Sequence, residues 1–188
     1  MKDAINISVN GAGLSEIALP ENSEVLAEMS LEGNNFTEFD LSKYPALRTV
    51  ALSSNKLTSI DFSKAPNLEE ASASYNQLTE VKFGNNNLWG LYLDNNNLSE
   101  IDFTGAPHIS QLTLAKNKFS ELNVDMLNEL KVLTINDNYF TFKTLPLNKS
   151  NYIVYYYYNQ APIDVECVNG KVDLSDQVEV DGTPTTYR

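Results

Sequence analysis

The sequence predicts a solenoid in which one short parallel β-strand recurs in every coil. Three observations predict it: a fixed period, an alternating apolar pair in each period, and an asparagine at a constant phase. A constant period of this size is typical of repeat proteins, in which each unit packs only on its neighbours. The asparagines lie 21, 21, 20, 21, 21 and 21 residues apart, at Asn34, Asn55, Asn76, Asn96, Asn117, Asn138 and Asn159.

Each period contains two apolar residues two positions apart, which is the spacing of a strand with one buried face. Parallel pairing of these strands between neighbouring coils would give a right-handed solenoid with a concave sheet of about eight strands. The predicted inward pairs are Ile7/Val9, Met29/Leu31, Val50/Leu52, Ala71/Ala73, Leu91/Leu93, Leu112/Leu114, Leu133/Ile135 and Val154/Tyr156.

A second apolar pair follows each asparagine, and only a few residues separate it from the next strand. Ile60/Phe62 and Ile101/Phe103 are examples. These segments are too short for a long helix, and Pro66 and Pro107 resist helix at the return corners. We therefore expect an outer wall of extended or short 3₁₀ segments with little helix.

The repeated asparagine has a structural explanation. Where the chain leaves the sheet, its backbone N–H and C=O groups face inward without partners. A buried amide can both donate and accept hydrogen bonds, so it can satisfy both kinds of group. We expect the amides to stack as a ladder that belongs to the scaffold rather than to a ligand site.

The phrase Leu47-x-x-Val50-x-Leu52-x-x-Asn55-x-Leu57-Thr58, with its recurrence over residues 4–161, resembles the leucine-rich repeat family. The short repeat is most similar to surface proteins of Bacteroidetes-type bacteria and more distantly to internalins. The resemblance implies a bacterial protein, secreted or at the cell surface, whose concave face binds other proteins. Coil four departs from the pattern, because alanines fill its inward pair.

The chain divides into two predicted regions. Residues 1–161 form the solenoid, with 1–20 as an N-terminal capping coil, and 162–188 form a C-terminal β cap or the truncated start of a β-sandwich module. Asn169-Gly170 lies between strand-like residues and predicts a hairpin turn. The chain starts without the apolar segment of a signal peptide, so we expect that a leader or anchor was removed.

Composition argues against several classes of partner. The formal net charge is −12, from 13 basic and 25 acidic residues. Nucleic acids and anionic lipids both require a basic surface, whereas a basic protein would be attracted. No run of 18 apolar residues is present, so no membrane-spanning helix is predicted. The single cysteine, Cys167, cannot form an internal disulfide.

Residues between the core positions of each strand point to the concave side. Most of them are small and polar, but the middle of the sheet and its end carry aromatic and acidic side chains. Aromatic residues are the usual anchors of protein interfaces. The candidate ligand contacts are Tyr75, Trp89, Tyr92, Asp94, Glu70, Tyr155 and Tyr157.

Other interpretations of these residues remain open. Trp89 follows a core leucine and could pack along the strand edge, and the terminal tyrosines could cover the last coil. A row of aromatic rings could also stack on sugars. No nucleophile elbow, phosphate loop, metal cluster or isolated carboxylate pair is present, so we predict no enzyme activity and no cofactor. The favoured function is protein binding; the alternatives are carbohydrate binding and a structural spacer.

Overall fold

The computed structural model describes residues 6–18, 25–84, 87–147 and 151–162, together with the backbone of four two-residue strands beyond them. The chain is wound into a solenoid whose coils each contribute one three-residue strand to a single parallel sheet of eight strands. The predicted fold class is therefore confirmed. The strands of this sheet are β1 Asn6–Ser8, β2 Glu28–Ser30, β3 Thr49–Ala51, β5 Glu70–Ser72, β7 Gly90–Tyr92, β8 Gln111–Thr113, β9 Val132–Thr134 and β10 Val154–Tyr156.

Strand pairing follows the sequence repeat, so each residue lies beside the residue at the same position of the next coil. Val50 of β3 pairs with Met29 on one side and with Ala71 on the other. Because equivalent residues stack, the inward positions of all coils merge into one continuous core. Leu52, Leu91 and most other inward residues are fully buried.

The predicted amide ladder is present. The Asn55 Nδ2 group donates to the carbonyl of Leu52 in its own coil at 3.0 Å and to that of Leu31 in the preceding coil at 2.9 Å. Its Oδ1 atom accepts the N–H of Phe36 at 3.1 Å. Each amide thus joins two coils and satisfies inward-facing backbone groups that have no strand partner. The same bonds are made by Asn34, Asn76, Asn96, Asn117 and Asn138.

The outer wall combines extended and 3₁₀ segments, as predicted. Strands β4 Ser59–Asp61 and β6 Glu80–Lys82 pair in parallel, and two 3₁₀ helices span Leu41–Lys43 and Phe62–Lys64. Aspartates 40 and 61 cap these helices, because each side chain accepts the N–H of the serine two residues on.

Close stacking of the coils explains why the outer wall has no room for longer helices. The rings of Phe62, Phe83 and Phe103 stack with centroids 6.1 and 6.0 Å apart. A Cβ atom at Gly105 would lie only 2.7 Å from the Phe83 carbonyl group. Glycine at this corner therefore permits backbone-to-backbone contact between neighbouring coils.

The last coil corrects one sequence prediction. Tyr155, not Val154, pairs with the core residue Leu133, so the predicted inward pair Val154/Tyr156 is wrong by one position. The amide position is shifted as well. Gln160 accepts the N–H of Phe140 and donates to the carbonyl of Ile135, which are the bonds made by asparagine in the other coils.

The shift comes from one extra residue in the seventh coil. Asn138 and Gln160 are 22 residues apart, whereas most successive ladder amides are 21 apart. Asn159 instead occupies the preceding position, which has a positive φ of 54°. The regular count of asparagines hid the insertion, because an asparagine also suits this left-handed conformation.

Beyond the solenoid, β11 Cys167–Val168 pairs antiparallel with β12 Lys171–Val172, as expected for the predicted hairpin. A second antiparallel pair joins β13 Glu179–Val180 to β14 Thr183–Pro184. Most of the segment 162–188, and residues 1–5 and 19–20 of the predicted N-terminal cap, lie outside the described residues. The two-region division therefore stays a prediction.

Candidate binding face

The sheet side chains that point away from the core form what we call the open face. It consists of three columns of stacked residues: the first residue of each strand, the third residue of each strand, and the second residue after the strand. Small polar side chains predominate on this face. The middle of the face is formed by Glu70, Ser72, Ser74, Gly90, Tyr92, Asp94, Gln111, Thr113 and Ala115.

Tyr92 lies over the middle of the open face, and Gly90 makes room for it. The register sets Gly90 between Glu70 and Gln111. A Cβ atom at Gly90 would lie 3.2 Å from Glu70 Cγ and 3.4 Å from the Tyr92 hydroxyl. The Tyr92 hydroxyl donates to Gln111 Oε1 at 3.0 Å. We call Glu70, Gly90, Tyr92 and Gln111 the Tyr92 cradle.

The Glu70 carboxylate has no hydrogen-bond donor among the described residues, although its sequence neighbour is fully paired. Glu69 receives two hydrogen bonds from the Arg48 guanidinium, at 2.9 and 2.8 Å. Arg48 is one coil below Glu69 at the leading edge of the sheet. The corresponding neighbours of Glu70 are Thr49 and Gly90, and neither can supply a positive charge.

The pKa of Tyr92 reflects its burial and its position beside Glu70. Burial, and secondarily the negative charge of Glu70, raise the pKa of Tyr92 above its ordinary value. The Tyr92 hydroxyl therefore stays protonated at neutral pH, and its hydrogen bond to Gln111 keeps the ring in place. The cradle presents an aromatic ring beside an unpaired carboxylate.

Asp94 lies two residues beyond the end of β7 and is held by the next coil. Its carboxylate accepts hydrogen bonds from the Thr113 hydroxyl and, at 2.8 Å, from the Ala115 N–H. Burial raises the pKa of Asp94 despite these hydrogen bonds, which act in the opposite direction. Asp94 therefore anchors two coils to each other as well as contributing charge to the face.

Tyr75 is exposed and strained. Its φ of 56° is in the left-handed region, and 60% of its surface is accessible. Its backbone N–H donates to the carbonyl of Asp94 at 2.8 Å, so its backbone lies beside Asp94 of the next coil. The structure thus places Glu70, Tyr75, Tyr92 and Asp94 in two adjacent coils.

Trp89 lies at the leading edge rather than on the open face. It precedes β7, in the same column as Arg48 and Glu69, and is partly exposed. Its carbonyl accepts the N–H groups of Ser110 and Gln111 of the next coil, each at 2.9 Å. The structure thus puts Trp89 in the edge column, and its role as a ligand contact stays a prediction.

The shifted last coil changes which tyrosines face outward. Tyr155 lies in the core column, where its hydroxyl donates to the Pro146 carbonyl at 2.6 Å and burial raises its pKa. Tyr157 follows it in the inward register; its ring is tilted against that of Tyr155 with centroids 5.1 Å apart, and it stays 46% exposed. The open face instead carries Tyr156 and Tyr158, both about half exposed. Aligning Gln160 with the asparagines would have revealed this.

Toward its two ends the open face is also acidic. Asn6 donates to the Glu28 carboxylate at 2.8 Å, and Asn136 donates to Asp137 at 2.6 Å. Lys116 is the cation that the sequence places near these columns. Among the described residues no group of three or more His, Cys, Asp or Glu side chains could hold a metal ion. The described part of the chain also contains no helix with the length and apolarity to cross a membrane.

Comparison with solved structures identifies the fold as that of leucine-rich repeat domains. The leucine-rich repeat domain of APL1B superposes with a TM-score of 0.64 at 23% identity, over 72% of this chain and 41% of that one. A chain of the LRIM1/APL1C complex gives 0.57 at 27% identity, over 63% and 23%. The APL1 leucine-rich repeat domain gives 0.56 at 22% identity, over 73% and 44%.

The chain thus spans less than half the length of each of these structures. Neither a protein-family model nor a curated protein matches the sequence. The comparisons therefore establish the leucine-rich repeat fold, and the function has to be inferred from the open face.

Proposed function

We propose that the chain is a non-enzymatic binding module that captures a protein partner on the open face. The observation that carries this proposal is that two adjacent coils bring Tyr92 beside Glu70 and Tyr75 beside Asp94 on an otherwise small and polar sheet. Exposed aromatic side chains surrounded by small polar residues are typical of the energetic centre of a protein interface. One similar structure, LRIM1/APL1C, is itself a complex of two proteins.

We further propose that this module acts outside the cell, secreted or at the surface of a bacterium. The short-repeat cadence and its resemblance to Bacteroidetes-type surface proteins support this location. A high density of acidic residues, with a formal net charge of −12, would keep an exposed binding module soluble.

Selection from a randomised peptide display library on the immobilised chain tests the proposed function. Selected binders should lose at least about tenfold in affinity when Tyr75 and Tyr92 are both replaced by alanine, since interface anchors of this kind dominate binding. Tyr139→Ala is the matched control, because Tyr139 is another exposed aromatic residue but follows the amide of its coil. The control should bind as the unmodified chain does.

Two results would contradict the proposal. If binders keep their affinity for the Tyr75/Tyr92 double variant but lose it with Tyr139→Ala, the binding surface lies outside the open face. A glycan array that gives strong, Tyr92-dependent signals while no peptide binds would favour carbohydrate binding. Circular dichroism and thermal unfolding of each variant establish that the loss of binding is not a loss of fold.

A further inference from the structure

We propose that the Tyr92 cradle recognises a positively charged side chain, arginine or lysine, of the protein partner. This rests on the proposed function and specifies what the partner presents at the centre of the open face. The guanidinium or ammonium group would lie against the Tyr92 ring and pair with the Glu70 carboxylate. The inference follows from three features: the aromatic ring, the unpaired carboxylate and the surrounding field.

The ring supplies the first part of the recognition. A cation over an aromatic face is attracted by the negative potential of the ring. Tyr92 is fixed for this purpose, because its hydroxyl is bonded to Gln111 and no side chain at Gly90 pushes the ring away from the sheet. A fixed ring loses little conformational entropy on binding, which favours recognition by a shallow surface.

The carboxylate supplies the second part, because none of the described residues neutralises it. Arg48 pairs with Glu69 within the edge column of the sheet. In the next column the partners of Glu70 are Thr49 and Gly90, which carry no charge. Adjacent glutamates therefore have different roles: Glu69 stabilises the leading edge, and Glu70 keeps a free negative charge on the open face.

The negative electrostatic potential of the open face supplies the third part of the recognition. The sequence sets Glu28, Glu32, Glu70, Asp94 and Asp137 along the columns of the open face against Lys116. Such an imbalance raises the local concentration of cations and steers a basic partner to the face. A neutral hydroxyl-rich ligand would gain nothing from this field.

Two small probes of the same shape test the inference. Blocked arginine, Nα-acetyl-arginine methylamide, carries the cation, and the corresponding citrulline derivative is its neutral counterpart. Both are titrated into the isotope-labelled chain by NMR, following the Gly90 amide and the Tyr92 ring resonances. The arginine probe should shift both signals in a saturable manner, and the citrulline probe should leave them unchanged.

Variants separate the two contributions. Glu70→Gln should weaken arginine binding about fivefold, the effect of one charge pair near a protein surface. Glu121→Gln, an exposed outer-wall residue with the same change in net charge, should have no effect. Tyr92→Phe should bind about twofold more weakly than the unmodified chain, since the ring remains but its bond to Gln111 is lost, whereas Tyr92→Leu should abolish the shifts.

Equal shifts from arginine and citrulline, or equal losses from Glu70→Gln and Glu121→Gln, would overturn the inference. The chemical shifts of residues remote from the cradle verify that Tyr92→Leu is folded. If the display binders depend on Tyr75 and Tyr92 while the arginine probe has no effect, the inference fails and the proposed function stands. If the arginine probe binds at the Tyr92 cradle but no selected peptide depends on Tyr75 and Tyr92, the proposed capture of a protein partner fails while the cation site stands.

Discussion

Tyr75 occupies a backbone conformation that suits other residues better. Every coil from the third to the last has a positive φ at this position, between 54° and 59°. The equivalent residues are Ser54, Asn95, Lys116, Asp137 and Asn159. A left-handed conformation costs a bulky residue about 1–2 kcal/mol, and asparagine tolerates it best among non-glycine residues.

Replacing Tyr75 by asparagine should therefore raise the free energy of unfolding by about 0.5–1 kcal/mol, since the strain is relieved and no buried contact is lost. Urea unfolding followed by circular dichroism measures this change. Tyr139→Asn is the control, because Tyr139 is equally exposed but does not have a positive φ. A destabilised Tyr75→Asn variant would show that the ring supports the fold rather than a partner.

Asp94 gives a residue-scale prediction that depends on pH. Its raised pKa means that the folded state holds its proton more tightly than the unfolded state does. The protonated carboxyl group therefore stabilises the folded state fully at pH values below the pKa of Asp94 in the unfolded chain. This stabilisation is lost as the pH rises through the higher pKa that Asp94 has in the folded chain. Asp94→Asn keeps groups that can bond to Thr113 and Ala115 and carries no charge, so it removes this dependence.

The Asn variant should be more stable than the unmodified chain at pH 7, by about 1 kcal/mol. The difference should disappear as pH falls below the ordinary aspartate pKa. Thermal unfolding across this range measures it. Thr113→Val, which removes the hydroxyl donor but leaves the charge, should instead destabilise at neutral pH. A constant difference between Asp94→Asn and the parent at all pH values would contradict the assignment.

The amide ladder is the element that holds successive coils together. Each amide bonds to backbone groups of its own coil and the preceding one, so its effect extends over both. The ladder runs from the second coil to the eighth. In the first coil Ala12 occupies the amide position. In the other coils the residue two positions after the amide donates its N–H to the amide oxygen of the next coil, and in the last coil that residue is Pro162. Proline has no N–H, so this forward bond cannot form there.

Asn76→Ala should lower the free energy of unfolding by about 3 kcal/mol, because it leaves the Leu57 N–H and inward carbonyls without partners. Chemical denaturation measures the loss. Gln77→Ala, one residue further along and exposed, should be neutral. Similar stability changes for the two variants would mean that buried water replaces the amide.

The whole molecule carries an uneven charge distribution. Its excess acidity is spread over the open face and along the outer wall, where Glu80, Glu100 and Glu121 recur at the repeat period. All three are exposed. Like charges at stacked positions repel each other and reduce the stability of the folded state. Lys82 relieves part of this repulsion through its contact with Glu80 at 3.1 Å.

Glu100→Lys should therefore stabilise the molecule by about 0.5 kcal/mol at low ionic strength, with the gain reduced by added NaCl. Differential scanning calorimetry at two salt concentrations measures the effect. Glu69→Lys changes the net charge equally but removes the partner of Arg48, so it should destabilise. Stabilisation by both variants would mean that only net charge matters and that column position does not.

At each scale, the sequence alone determined the features that repeat. The period, the inward apolar pairs of the first seven coils, the amide ladder and the extended outer wall all follow from residues a few positions apart. Local spacing also placed Glu70, Tyr92 and Asp94 on one face, because successive strand residues point to opposite sides. These features can be predicted without knowing which coils are in contact, because every coil packs against nearly identical neighbours.

Only the tertiary structure decided the features that break the repeat or join coils. Because of the inserted residue before β10, the Tyr155 side chain points toward the core. Strand pairing, rather than the residue count, sets this register. Trp89 was placed at the edge, and Tyr92 over Gly90, by contacts among residues about 20 positions apart. For the same reason Glu70 has no partner among the described residues: its neighbours in space are fixed by the stacking of coils, which sequence proximity does not reveal.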